Sequence, residues 1–439
     1  MITKKRYTAG ILTLGCKVNQ YESEAIAEEL EKNGIAVLGH NEICDAYIIN
    51  TCTVTAESDR KARQFIRRAI GKNPNAYIVV TGCLAQTSAE EVSSIEGVDA
   101  VVGNATKLDC AKELLRLFSQ GEKNPSTRIS VSDIDTACFE AMSINSFNRT
   151  RAYVKIEDGC ENRCTYCIIP SARGKIRSKS PKDIIDEVTE LTVGGCREIV
   201  LTGIETASYG KDLDGVRLED ILEAVDAIPN IGRVRLGSLD PSLIRPEFAE
   251  KISKLSSLAP HFHLSLQSGS SRILALMKRK YNAEQAMRAI ELIRSKIPNA
   301  KFTTDVIVGF PGETEEDFAK TIDFVKKAEF LMVHVFPYSK RKGTEAALMK
   351  EQIPTSVKKE RVHILSEVAA LSRKKILDEA VNSSKVETVL FETFDGEFAS
   401  GHTADFIEIC VKSPVSFHGE FKKVRIIGTN GDKCYGNIV

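Results

Sequence analysis

Short apolar runs, each followed by a helix-patterned segment, recur nine times along this chain. That rhythm limits the fold to parallel sheets wrapped by helices, an α/β class. Three of the runs fall in the first 118 residues: Gly10-Ile-Leu-Thr-Leu14, Ala46-Tyr-Ile-Ile49 and Tyr77-Ile-Val-Val80. Helical patterns over 22–33, 56–70 and 89–95 follow them, which predicts a doubly wound parallel sheet. A polar stretch, 119–149, reads as a linker. The alternation then repeats six times, with strands expected at 152–156, 198–203, 233–239, 261–266, 301–308 and 331–336. Six β/α units predict an open, incomplete (β/α)8 barrel, with reactive groups at the C-terminal strand ends. A long helix is expected over 355–380. After Asn382 the strands 386–394, 406–411 and 422–427, with an Asp395-Gly396 turn, predict a small β-barrel. The expected domains are therefore 1–118, a linker 119–149, 150–377 and 378–439.

The 439 residues exceed one ordinary domain. No apolar stretch approaches the roughly 18 residues of a membrane span. Met1 to Tyr7 leads into a strand-like run rather than a signal peptide. Twelve cysteines in such a chain favour metal or redox chemistry over disulfides and predict a cytoplasmic location. A formal net charge of zero argues against a uniformly basic nucleic-acid binder, and residues 378–439 hold ten acidic and six basic side chains. Basic residues nonetheless cluster at Arg60/Lys61/Arg63/Arg67/Arg68, at Arg173/Lys175/Arg177/Lys179, at 278–280 and at 340–342. Local contact with an anionic substrate is compatible with that distribution, as are solvated faces.

The run Cys160-Glu-Asn-Arg-Cys164-Thr-Tyr-Cys167 places three thiols in a loop just after the first strand of the second block. Three is one short of the four that fill a structural zinc or saturated iron–sulfur site. A four-iron cluster held this way keeps one iron without a protein ligand, where S-adenosylmethionine (SAM) can chelate and be cleaved to a radical. A zinc knuckle with a distant fourth ligand is the alternative. Three further cysteines, Cys16, Cys52 and Cys83, follow the three apolar strands of the first block. In a parallel sheet those strand ends share one edge, so the thiols can converge into a second metal site, and Gly15 and Gly82 allow close backbone approach. Buried packing cysteines are the alternative. Cys44, Cys110, Cys138, Cys196, Cys410 and Cys434 share no such placement.

With both triplets in place the chain resembles the radical-SAM methylthiotransferase family over essentially its whole length. The resemblance rests on Thr13-Leu-Gly-Cys-Lys-Val-Asn-Gln-Tyr-Glu-Ser23, Thr81-Gly-Cys-Leu-Ala-Gln86 and Asp158-Gly-Cys-Glu-Asn-Arg-Cys-Thr-Tyr-Cys-Ile-Ile-Pro170. Leu264-Ser-Leu-Gln-Ser-Gly-Ser270 and Asp305-Val-Ile-Val-Gly-Phe-Pro-Gly-Glu-Thr314 add to it. It implies that Cys160, Cys164 and Cys167 hold a radical-SAM [4Fe-4S] cluster and that Cys16, Cys52 and Cys83 hold an auxiliary [4Fe-4S] cluster bearing the transferred sulfur. By the same resemblance, one SAM would methylate that sulfur and a second would yield a 5′-deoxyadenosyl radical that takes hydrogen from a substrate C–H. Tyr166, Arg173, Gln267, Ser268, Gly269, Gly309 and Pro311 are the expected SAM-binding residues, Tyr166 against the adenine and Arg173 at SAM's carboxylate or a substrate phosphate. A ring covering the cluster and a structural ion pair are the respective alternatives. Glu205 departs from the family pattern. The β-rich tail resembles the RNA-binding TRAM domain.

Partners implied are tRNA at its anticodon stem-loop, an electron donor and a sulfur source, with no membrane. The first motif, and His334-Val-Phe-Pro-Tyr-Ser-Lys-Arg-Lys-Gly343, are similar to the branch acting on threonylcarbamoyladenosine in tRNA. The product would be its 2-methylthio derivative. Lys340 to Lys342 and Arg173 are candidates to meet the substrate's carboxylate. Isopentenyladenosine in tRNA and a ribosomal-protein aspartate are alternative substrates of the same chemistry. A non-catalytic Fe–S or zinc RNA-binding protein is a distant alternative.

Overall fold

The computed structural model describes residues 7–121, 123, 126–147 and 150–439. The expectation for Met1 to Arg6, and Pro125 of the linker, lie outside these. The chain forms two compact units. One comprises Met1–Ile144, Tyr153–Ser180 and Ser339–Thr344; the other comprises Asn145–Ala152, Pro181–Tyr338 and Glu345–Val439.

In the first unit β1 (Thr8–Thr13), β2 (Ala36–Leu38), β3 (Ala46–Thr51), β4 (Tyr77–Gly82), β5 (Ala100–Val102) and β6 (Arg128–Ser130) form one sheet in the order β2-β1-β3-β4-β5-β6. Every pairing is parallel. All residues of β3 and β4 are buried, as a strand covered on both faces requires. Alternation sorts them. Ala46, Ile48 and Val79 pack with Ile26 and Leu30 of α1 (Lys17–Lys32). Tyr47, Ile49, Ile78 and Val80 pack on the other side with Ala62 and Ile66 of α2 (Ala56–Lys72). α3 (Cys83–Thr87) and α4 (Ala89–Ser93) follow β4, and α5 (Asp109–Gln120) follows β5. The stretch expected as linker contributes β6, a full sheet member, and the 3-10 turn Ile134–Thr136. Three polar-flanked residues carry no periodicity, so pairing with β5 rather than pattern makes this strand.

The cysteine loop also belongs to this unit. After β7 (Ala152–Lys155), β8 (Glu157–Asp158) pairs antiparallel with β9 (Arg177–Ser178), closing a loop that contains α6 (Ile169–Arg173).

In the second unit β10 (Glu198–Thr202) runs parallel to β11 (Arg233–Leu236). β12 (Ser238–Leu239), β13 (His261–Gln267), β14 (Lys301–Val308) and β15 (Met332–Pro337) form a parallel sheet in that order. The strand expected at 233–239 is split at Gly237. The helix expected over 355–380 runs from Thr355 to Ser383. Behind it β16 (Val386–Phe394), β17 (Phe398–His402), β18 (Glu408–Lys412), β19 (Phe421–Thr429) and β20 (Cys434–Ile438) close a five-stranded barrel around Val389, Phe391, Ile409, Val411, Val424 and Ile426. β17 and β20 are additional to the expected strands.

The strand expected from Phe406 begins instead at Glu408, because Phe406 turns to φ +75°. Its ring stacks against His261 and His402, each with ring centres 4.5 Å away, under the Arg235 guanidinium. Arg233 donates to the carbonyls of Thr388, His402 and Thr403. Glu198 is buried among Arg151, Arg233 and Arg235. Burial would raise its carboxyl, but the coulombic pull of Arg235 and Arg151, the hydrogen bond from Arg235 and the charge of Arg233 hold it down to about 2. Glu198, Arg233 and His261 are the first residues of their strands. The small barrel therefore sits at the N-terminal strand ends and leaves the C-terminal edge uncovered by it.

Candidate functional site

β1, β3 and β4 are neighbours, and adjacent strands lie about 4.8 Å apart. Their C-terminal ends therefore fall within about 10 Å. Cys16 stands at the N-cap of α1, Cys52 directly follows β3, and Cys83 opens α3 directly after β4. Two glycines reveal how tightly these turns close. Gly15 has φ +104°, and a Cβ there would lie 2.8 Å from the Cβ and 3.1 Å from the Sγ of Cys52. Gly82 has φ +97°, and a Cβ would lie 2.3 Å from the Thr51 carbonyl oxygen. Both positions demand glycine twice over.

The three thiols feel one another. Burial pushes the Cys52 thiol up to about 11, and the neighbouring Cys83 and Cys16 add to the rise. Cys16 is exposed at the surface, but the protein crowded around its thiol raises its pKa against the opposing pull of Arg173. None of the twelve cysteines is in a disulfide. In the loop triplet Cys160 is buried and Cys164 and Cys167 are half-buried. The Cys160 amide donates to the Gly174 carbonyl at 2.9 Å, and the Cys167 amide to the Cys164 carbonyl at 3.0 Å.

Arg173, at the end of α6, has no solvent exposure. Its Nη1 donates to Glu22 Oε1 at 2.6 Å and reaches Asp158 Oδ2 at 3.2 Å. Its Nη2 donates to Asn19 Oδ1 at 2.6 Å, and its Nε to Cys83 Sγ at 3.4 Å. Asn19 in turn donates to the carbonyls of Leu14 at 2.7 Å and Thr51 at 3.0 Å. One guanidinium thus ties the residue before β8's loop, helix α1 and a strand-end thiol together. Arg173 was expected at a ligand carboxylate or phosphate, with a structural ion pair as the alternative; its donors are spent inside the protein, as in the alternative. Arg177 and Lys179 of the same basic cluster are also buried, with Arg177 donating to the carbonyls of Arg173 and Lys175. Of that cluster Lys175 alone is exposed, so it forms no extended anion-binding patch.

The charge balance around Arg173 is lopsided. Glu22 and Asp158 face Arg173, Lys107, Lys155 and Arg177. Burial alone would raise the Glu22 carboxyl; Arg173, Lys107 and Lys155 together hold it well below the usual range. Arg173 is raised well above its ordinary value, since Asp158, Glu22 and Cys83 outweigh the burial that lowers it. Glu140 accepts from the Lys107 and Leu108 amides, and burial raises its pKa. Even with Glu140 ionised the cations exceed the carboxylates. A buried cationic surplus beside three thiols suits an anionic thiolate-bound cluster. The donor set, the two glycine approaches and this surplus fit iron–sulfur ligation.

At the C-terminal strand ends of the second unit Gln267 is half-buried at φ +68°, where β13 bulges. Ser268 and Gly269 are turned inward: Ser268 Oγ pairs with Thr321 Oγ1 at 3.3 Å, and a Cβ on Gly269 would meet Phe324 and Thr321. The Gly309 amide donates to Glu313 Oε2 at 2.6 Å, and Gly309 and Pro311 are buried. Tyr166 is half-buried. Burial and the adjacent Asp240 carboxylate raise the Glu205 pKa. Of 340–342, Arg341 bonds Thr53 and Asp59 at 2.7 Å, while Lys340 and Lys342 are exposed.

Asn19, Glu22, Asp158, Lys107 and Lys155 were missed by sequence reasoning. Asn19 and Glu22 stand three and six residues after Cys16, on one helix face with it. That spacing, and Asp158 two residues before Cys160, were the available signals; nothing local marks Lys107 or Lys155.

Two family descriptions match the chain: the Radical SAM superfamily over residues 154–325 and the uncharacterized protein family UPF0004 over residues 8–103. The chain is 39% identical to the threonylcarbamoyladenosine tRNA methylthiotransferase MtaB of Bacillus subtilis, over 96% of this chain and 94% of that protein. MtaB of Thermotoga maritima is 39% identical over 95% and 94%. The tRNA-2-methylthio-N(6)-dimethylallyladenosine synthase of Moorella thermoacetica is 36% identical over 97% of both chains. Among solved structures, the radical SAM methyltransferase TsrM of Kitasatospora setae superposes with a TM-score of 0.54 at 15% identity, covering 89% of this chain and 79% of that one. That last likeness is one of fold.

Proposed function

The chain belongs to the radical-SAM tRNA methylthiotransferases, and from that premise we propose that it methylthiolates C2 of N6-threonylcarbamoyladenosine beside the anticodon. The observation that carries the two-cluster form of this chemistry is the strand-end triplet with Arg173 at Cys83. Cys160, Cys164 and Cys167 would hold one [4Fe-4S] cluster, and Cys16, Cys52 and Cys83 the other. When bound, the clusters and SAM supply the radical and the sulfur-bearing group.

The chain's own residues do the rest. Arg173 and Asn19 fix the Cys16 and Cys83 turns, and the cationic surplus offsets thiolate charge. Gln267, the Gly309 segment and Tyr166 would bind SAM along the C-terminal strand edge, with Ser268, Gly269 and Pro311 shaping those turns from behind. The five-stranded barrel resembles an RNA-binding module, and tRNA is the substrate class of the curated relatives. An electron donor for the radical-SAM site and a sulfur source for the other site would be the enzyme's further partners.

Among the described residues, no helix is long and apolar enough to cross a membrane. Nucleoside mass spectrometry of tRNA from a deletion strain tests the substrate. Loss of 2-methylthio-N6-threonylcarbamoyladenosine is expected; unchanged levels reject the reading.

A further inference from the structure

β14 runs between β13 and β15, and both pairings are parallel. Side chains alternate across such a sheet. Leu264, Leu266, Val306 and Val308 are buried on one face, and His263, Asp305 and His334 belong to the other. There one donor atom from each of the three lies within 4.8 Å of the other two. Asp305 is on the middle strand. His334 is its register partner on β15, and His263 lies diagonally across on β13, opposite Thr303. His263 Nε2 stands 3.2 Å from Asp305 Oδ2, and its Nδ1 stands 2.9 Å from Thr303 Oγ1.

These donors suit a metal ion better than an ion pair. A pair with Asp305 needs one imidazole, and here a second joins the same group from the strand on the other side. Two histidines and one carboxylate are the donors of three-ligand zinc sites and of the facial triads that hold Fe(II). Donors about 2.0–2.2 Å from one ion stand at most about 4.4 Å apart, so small side-chain rotations close this group on a metal. The 3.2 Å separation of Nε2 and Oδ2 already matches two neighbouring atoms of such a shell. Thr303 gives the outer contact: a hydroxyl on Nδ1 orients the ring and leaves Nε2 to ligate. Three hydrogen-bonded strands carry the ligands, the rigid support that a metal site needs.

We propose that His263, Asp305 and His334 bind a divalent transition-metal ion, separate from both cysteine sites. His263 precedes Gln267 by four residues, about 13 Å along the strand, so the ion lies below the strand edge expected to meet SAM. All three ligands rise from the sheet, and the ion's remaining positions face away from it, on the side where His334 is exposed. Ligating imidazoles are neutral and Asp305 brings one negative charge, so a divalent ion keeps net positive charge toward that side. Water or an anionic oxygen donor is the ligand class that completes the shell. Two imidazoles favour zinc or ferrous iron over magnesium or calcium, which take oxygen ligands. The site does not depend on which adenosine the enzyme modifies.

The test uses the full chain, anaerobically reconstituted so that its cysteine sites are filled, then passed over a chelating resin. Zn²⁺ is titrated against a competing indicator into wild type, His334→Ala, His263→Gln and Asp305→Asn, and zinc and iron are counted by elemental analysis. Wild type should take up about one zinc per chain, as a single three-ligand site requires. His334→Ala removes an exposed side chain, so its iron content and circular dichroism should match wild type. Its zinc affinity should fall by more than the roughly 10- to 100-fold that loss of an outer partner costs. The other two variants should lose zinc as well, and X-ray absorption at the zinc edge should show nitrogen and oxygen neighbours. Equal zinc uptake by wild type and His334→Ala overturns the proposal and leaves His263 and Asp305 as an ion pair. Sulfur neighbours at about 2.3 Å also overturn it, by placing the zinc on cysteine. Displacement of zinc by millimolar Mg²⁺ overturns the assignment to a transition metal. No readout here requires methylthiolation, so failure of the proposal leaves the functional reading untouched.

Discussion

The two cysteine triplets of the first unit gather three thiols by opposite routes. Cys160, Cys164 and Cys167 lie within eight consecutive residues, and a short loop closed by β8 and β9 suffices to hold them. Cys16, Cys52 and Cys83 are more than 30 residues apart from one another and meet only because β1, β3 and β4 are adjacent and parallel. The local triplet depends on turn geometry. The assembled one depends on the sheet, two glycines and a buried ion network, and so should be the more fragile. The loop is not independent of that network, because Arg173 and Asp158 flank it and reach Glu22 and Cys83.

Substitutions that strike the shared network should have the largest effects. Arg173→Met strips Glu22 and Asp158 of a buried partner, a class of change that costs about 3–5 kcal/mol. A shift of the denaturation midpoint corresponding to less than about 1 kcal/mol would mean that Lys107 and Lys155 suffice without it. Gly82→Ala forces a strained φ and a clash with Thr51, costing about 1–3 kcal/mol at the assembled site. The reconstituted variant should lose about four irons, one cluster's worth, and still cleave SAM. If iron stays at the wild-type level, the assembled triplet does not depend on that turn.

Arg173→Lys is subtler. It keeps the charge but removes the Nε–H donor to Cys83, so the auxiliary cluster's reduction potential should fall while the loop cluster's stays put. An EPR-monitored titration reads both; equal shifts would make Arg173 a general electrostatic element.

The smallest effect concerns acid. Glu198, caged by arginines at the far end of the second unit, has its pKa lowered to about 2 from a usual 4.5. A depressed carboxyl stabilises the fold above its unfolded pKa and loses that contribution as pH falls through the folded one. Stability from this cage should hold above pH 4.5 and decline between 4.5 and 2, and Glu198→Gln should flatten the decline. An unchanged slope in the variant would assign acid lability to other groups, Glu22 foremost.

Much of this contrast was legible in the sequence. The loop triplet is local and could be read as spacing. The strand-end triplet was legible because each cysteine repeats one placement after a periodic apolar run, and β3 and β4 are buried throughout as such runs imply. β6 and β17 were not: three exposed or half-buried residues and a glycine-containing pentapeptide become strands only through their neighbours. For Arg173 the sequence left a ligand contact and a structural ion pair open, because a basic residue after a cofactor motif looks ligand-facing until the fold brings Glu22, 151 residues away, against it. The meeting of His263, Asp305 and His334 across three neighbouring strands was equally hidden. Pattern gives elements and repeated positions; side-chain partners over long separations come from the assembled sheet.

The central claim is that two cysteine sets, one local and one assembled, each hold a cluster with separate tasks. Iron counting on anaerobically reconstituted wild type and on the Cys16→Ala/Cys52→Ala/Cys83→Ala variant tests it most directly, with SAM cleavage measured on the same samples. About eight irons falling to about four, with SAM still cleaved and no methylthio product formed, is the predicted result. About four irons in both proteins, or methylthiolation surviving in the variant, would contradict it.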